Sequence, residues 1–94
     1  MLANSAPAID GRSSADDRPN LYLAPVLDRY GRPDWRTWTK GVFLPKLSQM
    51  TTVGHLAYLL GDNAGNLIEA KRYLTPDTRA ELEAAEAAQW KAVE

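Results

Sequence analysis

Cysteine is absent from the chain, and histidine occurs once, at His55. The first absence excludes disulfides and thiolate metal sites, and the second excludes a histidine-rich metal centre. No metal and no cofactor is expected. Small chains of this kind usually draw stability from a disulfide, a metal or a partner. With 94 residues there is room for one domain, burying roughly 60 % of the surface its unfolded form exposes. A partner, or a very efficient core, is left as the source of stability. Also missing is any apolar run approaching the roughly 20 residues that cross a bilayer. No charged stretch followed by an apolar one opens the chain, so no signal peptide is read. The expectation is a protein of the cytoplasm, or of a particle assembled there, without membrane contact.

A strong charge of one sign is missing too: the formal net charge is −1. That total hides an asymmetry. Residues 21–46 carry Arg29, Arg32, Arg36, Lys40 and Lys46 against Asp28 and Asp34. Residues 75–94 carry five acids against Arg79 and Lys91. The middle is basic and the C-terminal part acidic. The overall basic footprint of a nucleic-acid binder is not there.

What is present divides the chain in two. Residues 1–20, MLANSAPAIDGRSSADDRPN, are small and polar, with no periodicity and too little apolar area to offset chain entropy. They read as an extended or disordered arm, ordered where a partner holds it. Residues 21–94 read as a single small α+β domain. LYLAPVL, from Leu21 to Leu27, is apolar and interrupted by Pro25, which confines a strand to an edge. DRYGRPD is turn chemistry, with Gly31 suited to positive φ and Pro33 fixing its own. WRTWTKGVFL is rich in aromatic and β-branched residues and is expected to stop at Pro45. Two short strands or extended segments, 21–28 and 35–44, are therefore predicted. In the alternative, Asp34 caps a single helical turn, WRTW, before Gly41.

From Thr51 onward the period is helical. Val53, Leu56, Ala57 and Leu60 fall on one face of a helix that Thr51 or Thr52 can cap and Gly61 can end. Asp62 or Asn63 can cap a second helix carrying Leu67, Ala70, Lys71 and Leu74. Thr75-Pro76-Asp77 opens a third: an N-cap, proline at the first helical position, and an acid in the first turn. That helix spans roughly 76–92. Its thin apolar stripe is Leu82, Ala85, Gln89, Trp90 and Val93.

Candidate chemistry is sparse. His55 follows Gly54, with no carboxylate or nucleophile at a telling spacing. Asp16-Asp17 sits in the arm. Glu81, Glu83 and Glu86 form a solvated helix face. No catalytic residue is identified, and no enzyme is expected. The densest binding-type composition is YGRPDWRTWTKG, Tyr30 to Gly41. If it is a strand, Arg36, Trp38 and Lys40 share one face and Trp35 the other. An indole flanked by two cations packs poorly into an apolar core. Trp38 is therefore expected outward and Trp35 inward. Tyr30, Arg32, Arg36, Trp38 and Lys40, with Trp90 on the third helix, are the candidate partner-binding residues, because Trp, Tyr and Arg dominate binding hot spots.

The stretch HLAYLLGDNAGNLIEAKRYL resembles the helix-turn-helix motif of DNA-binding regulators. Ala57 stands where that motif has a small residue, Gly61 at its turn, and Leu56, Leu60 and Leu67 at its core positions. Asp62 departs from the pattern, standing where the motif prefers an apolar residue. The resemblance implies a recognition helix offering Asn63, Asn66, Glu69 and Arg72, with Ile68 toward the groove. The residues taken together point first to a non-catalytic subunit that docks on a larger protein assembly through the arm and the Trp-bearing segment. A minor structural protein of a phage particle, or an accessory subunit of a multiprotein complex, fits this description. A DNA-binding regulator and a small inhibitor of a host enzyme are the alternatives.

Overall fold

A computed structural model describes residues 19–94, so most of the predicted arm, 1–20, lies outside the described residues. Four helices follow an extended segment. The first, α1, is a continuous run in three parts: α-helical Trp35–Thr37, π-helical Trp38–Phe43 and α-helical Leu44–Leu47. Then come α2 (Val53–Asp62), α3 (Ala64–Tyr73) and α4 (Pro76–Val93).

The expected α+β class is wrong. No strand forms among the described residues; one isolated antiparallel bridge joins Leu27 to Pro33. It is flanked by Asp28 N–H donating to the Arg32 carbonyl at 2.8 Å and Asp34 N–H to the Val26 carbonyl at 2.7 Å. The pairing does not lengthen into a ladder, because the Asp34 carbonyl that Val26 N–H would need next accepts instead from Trp38 N–H at 3.0 Å, in the first turn of α1. The turn between them follows its sequence: Gly31 sits at φ 80°. The Asp28 carboxylate accepts from the N–H groups of Tyr30 at 2.8 Å and Arg32 at 3.0 Å.

The predicted strand 35–44 is helix because its ends and its buried face agree on helix, and these outweigh local β propensity. Asp34 is the N-cap, accepting from Thr37 N–H at 3.0 Å and from the Thr37 hydroxyl at 2.8 Å. The capped turn continues well beyond Thr37, through Gly41 and past Pro45. In the π segment Leu44 N–H reaches back five residues to the Thr39 carbonyl. Pro45 has no N–H to give to any preceding carbonyl, and its ring crowds an ordinary helical turn. It stands in the first turn of the α-helical Leu44–Leu47 part, just after the wider π turn. The π turn also puts Trp38 and Phe43, five apart, on one face. Their rings stack with centroids 5.1 Å apart. Trp35 meets Trp38 edge-on at 5.6 Å.

The three later helices lie where their signals put them. Thr52 caps α2 through His55 N–H at 3.1 Å. Thr75 caps α4 through Thr78 N–H, with Pro76 in the first turn. The apolar stripe of α2 is rotated from expectation: Leu56 and Leu59 are buried, whereas Val53 and Ala57 are exposed. Leu67 and Ala70 in α3, and Leu74 just past its end, are buried as the spacing predicts. The core is Trp38, Phe43, Leu47, Met50, Leu56, Leu59, Leu67, Ala70, Leu74 and Leu82. Leu82 is the one fully enclosed apolar side chain of α4. Polar ties supplement it: Lys40–Glu81 at 3.2 Å, Lys71–Glu86 at 3.0 Å, and Gln89 donating to the Met50 carbonyl at 2.6 Å.

Residues 19–26 run extended across the α2–α3 junction, held by side chains where a strand would use a neighbouring backbone. Leu21 N–H donates to the Asp62 carboxylate at 2.9 Å, and Leu23 N–H to the Asn63 side-chain oxygen, Oδ1, at 2.8 Å. Asn63 Nδ2 donates to the carbonyls of Leu21, at 2.9 Å, and Leu59, at 2.8 Å. The Leu23 carbonyl accepts from Asn66 at 2.8 Å and from the Trp38 indole at 3.0 Å. Leu21, Leu23 and Val26 pack on the core beneath. Asn63 is fully buried, and its amide stands in for a missing strand.

Among the described residues, one buried side-chain group has no partner. The Thr39 hydroxyl is enclosed without a hydrogen bond. A buried hydroxyl left unpaired costs free energy that an isosteric methyl does not. Thr39→Val is therefore expected to stabilise the chain by about 1 kcal/mol, read as a higher urea midpoint at unchanged slope.

Candidate docking cleft

The turn 28–34 and the start of α1 face the corner where α3 hands over to α4. Between them lies a cleft of about 670 Å³. Arg32, Trp35 and Arg36 form one wall, with Tyr73, Leu74 and Thr75 on the other. Arg32 is set at the rim by Tyr30: its guanidinium carbon lies 5.6 Å from the Tyr30 ring centroid, and that of Arg29 lies 5.7 Å from it. Such cation–π contacts hold a flexible cation without neutralising it. Tyr30 and Tyr73 are among the most exposed large side chains of the fold, at 71 % and 66 %.

The carboxylates of the lining are already engaged. Asp34 caps α1, and Glu69 pairs with Arg72 at 3.4 Å. Hydrogen bonds from the Thr37 backbone, then from its hydroxyl, hold the Asp34 carboxyl below the usual range, and the Arg36 charge acts in the same sense against slight desolvation. A carboxylate lowered in the fold stabilises it above the unfolded value of about 3.9, and that contribution is lost as pH falls through the lowered value. Asp34→Ala should accordingly melt below the parent chain at neutral pH. The gap should close in acid below the lowered value, as followed by thermal melts from neutral pH to about pH 2.

The sequence-predicted binding residues divide. Arg32 and Arg36 come together at the cleft, and Tyr30, outside the lining, meets it only through the Arg32 guanidinium. Trp38 does not: it is fully enclosed, at 0 % exposure, while Trp35 is partly exposed. The expected facing is reversed because the segment is helical. Residues two apart then lie on opposite sides of the axis, so Arg36 and Lys40 do not flank the indole. Trp38 cannot touch a partner in this fold. Lys40 is drawn to Glu81 of α4, away from the cleft. Trp90 is 36 % exposed but stands fourteen positions along α4 from Pro76, about 20 Å by helical rise. It belongs to another surface.

Trp35 and Tyr73 were not expected here. Tyr73 ends α3 just before the Thr75-Pro76 start, and an aromatic side chain at such a corner has little of its own chain to cover it. For the helix-turn-helix comparison, α2 and α3 are separated only by Asn63, which is buried. Asn66 is spent on Leu23, and Arg72 pairs with Glu69. Of the proposed recognition side chains, Ile68 and Arg72 are exposed. His55 is exposed on α2 and lies outside the cleft lining. Among the described residues no group of three or more metal-ligating side chains converges, and no helix is long and apolar enough to cross a membrane. No protein-family model, curated protein or solved structure matches the chain.

Proposed function

We propose that the chain is a non-catalytic interaction subunit that docks on a larger protein assembly, using the cleft between α1 and the α3–α4 corner. The observation that carries this reading is the lining itself: Arg32, Arg36, Trp35 and Tyr73 around one concavity. These residue types dominate binding hot spots, and a concave setting lets a partner exclude water from them. The threonine hydroxyls in the lining are occupied with local work. Thr75 Oγ1 caps α4 and bonds the Thr78 hydroxyl at 3.2 Å. Neither is poised against a base, which supports docking over catalysis. Residues 1–20 are proposed as a second point of attachment on their composition alone. An accessory subunit in the cytoplasm, or a minor component of a particle assembled there, fits both.

Site-directed photo-cross-linking in the native host tests this. A benzophenone amino acid in place of Tyr73 is expected to give a discrete protein adduct. The same group in place of Ala57, on the exposed side of α2, is expected to give none. No protein adduct from position 73, or one removed by nuclease, would overturn the reading.

A further inference from the structure

We propose that the occupant of the cleft is an acidic, extended peptide segment carrying one apolar side chain. This rests on the docking reading above and adds the chemistry of the partner. The four charged side chains of the lining are Arg32, Asp34, Arg36 and Glu69, formally balanced, but the two signs are not equally available. Asp34 spends both oxygens on Thr37, and Glu69 is turned to Arg72. The ion pairs among the described residues, Lys40–Glu81, Lys71–Glu86 and Arg72–Glu69, leave Arg32 and Arg36 out. Two exposed guanidiniums thus face the opening without a carboxylate bonded to them. A guanidinium presents its N–H groups in a fork that fits a carboxylate, so the complementary partner group is Asp or Glu.

Three further features narrow the class. The 18-residue α4 begins at the cleft floor and directs the positive end of its dipole there, offset in part by Asp77. Trp35, Pro33, Tyr73 and Leu74 give the same concavity an apolar wall. An occupant bearing charge alone would leave that wall wet. A cleft of about 670 Å³ holds a few side chains of extended chain, whereas a helix with its side chains is about 10–12 Å across. A nucleic-acid strand needs a longer basic track. Two guanidiniums at one concavity do not make such a track, which favours a peptide.

The test is selection of random peptides displayed on phage against the immobilised full chain, with chosen peptides then measured in solution. Enriched peptides are expected to carry two or more acids around a Leu, Phe or Trp. They should bind the double variant Arg32→Glu/Arg36→Glu about tenfold or more weakly, the loss of one or more charge-assisted bonds. All the substituted positions are exposed, and circular dichroism confirms that each variant is folded. Tyr73→Ala should weaken the same peptides by removing the apolar wall. If the enriched peptides are neutral or basic yet still lose affinity in Tyr73→Ala, the acidic assignment is overturned while the cleft stands as a docking site. If neither variant alters binding, the cleft is not the site and both readings fall. Self-association of the chain, abolished by Arg32→Glu/Arg36→Glu, would put a second copy in the cleft and overturn the peptide.

Discussion

Trp38→Ala is expected to lose about 3–5 kcal/mol of stability, the range for deleting a buried aromatic side chain. The indole is wholly enclosed, stacks on Phe43 and takes Trp35 against its edge. Its Nε1 also donates to the Leu23 carbonyl at 3.0 Å. Truncation opens a cavity and loosens the extended segment at the same time. Whole domains are stable by only about 5–15 kcal/mol, and small ones by the lower figures. The variant should therefore be largely unfolded near 37 °C. Trp38→Phe keeps most of the packing and loses the donor, so it should fall between the two. Trp35→Ala, removing a partly exposed ring, should cost clearly less than Trp38→Ala. Urea denaturation decides: equal midpoints for the two alanine variants would contradict the core described here.

The second large effect is expected at Asn63. Asn63→Leu keeps the approximate size but removes three side-chain hydrogen bonds, to the Leu21 and Leu59 carbonyls and from Leu23 N–H. At about 1 kcal/mol for each bond, with buried groups left unpaired, the loss is about 3 kcal/mol or more. It should fall unevenly. The α2–α3 helices keep their Leu56, Leu59 and Leu67 contacts, while residues 19–26 lose the amide that holds them. Hydrogen exchange should show this directly. Leu23 N–H should be protected in the parent chain and should exchange freely in Asn63→Leu, with the α4 amides changed much less. Uniform loss of protection would mean that the segment and the helices open as one unit.

How much of this could be read beforehand depends on how local the cause is. Thr52, Thr75 and Pro76 announced their helices because a cap and its helix lie within a few residues of one another. The Asp28–Gly31 turn was legible for the same reason. The 35–44 segment was not, although Asp34 was recognised as a possible cap. Trp, Thr, Val and Phe favour a strand locally, but the stack of Trp38 on Phe43 needs a five-residue repeat that neither a strand nor an α-helix has. From that error came the reversed facing of the tryptophans. At the cleft, Arg32 and Arg36 were visible as composition. Tyr73 was not, because its role depends on a corner between helices bringing it opposite a segment some forty positions earlier. Asn63 looked like a cap. Nothing near it in sequence reveals that its amide faces Leu21 and Leu23, which lie about forty residues away.

The five-residue reach from Leu44 back to Thr39 has a consequence for chain length. A π turn is an α turn with one residue too many, accommodated by widening the coil instead of being expelled as a loop. Gly41 is exposed and its absent side chain would meet nothing nearby, so it is a natural place for that surplus. Without it, Trp38 and the phenylalanine would stand four apart, still on one face of an ordinary helix. Removing it would also return Pro45 to an ordinary helical turn, where its ring crowds the carbonyl four residues back. The surplus residue is thus what lets one helix run on past its own proline.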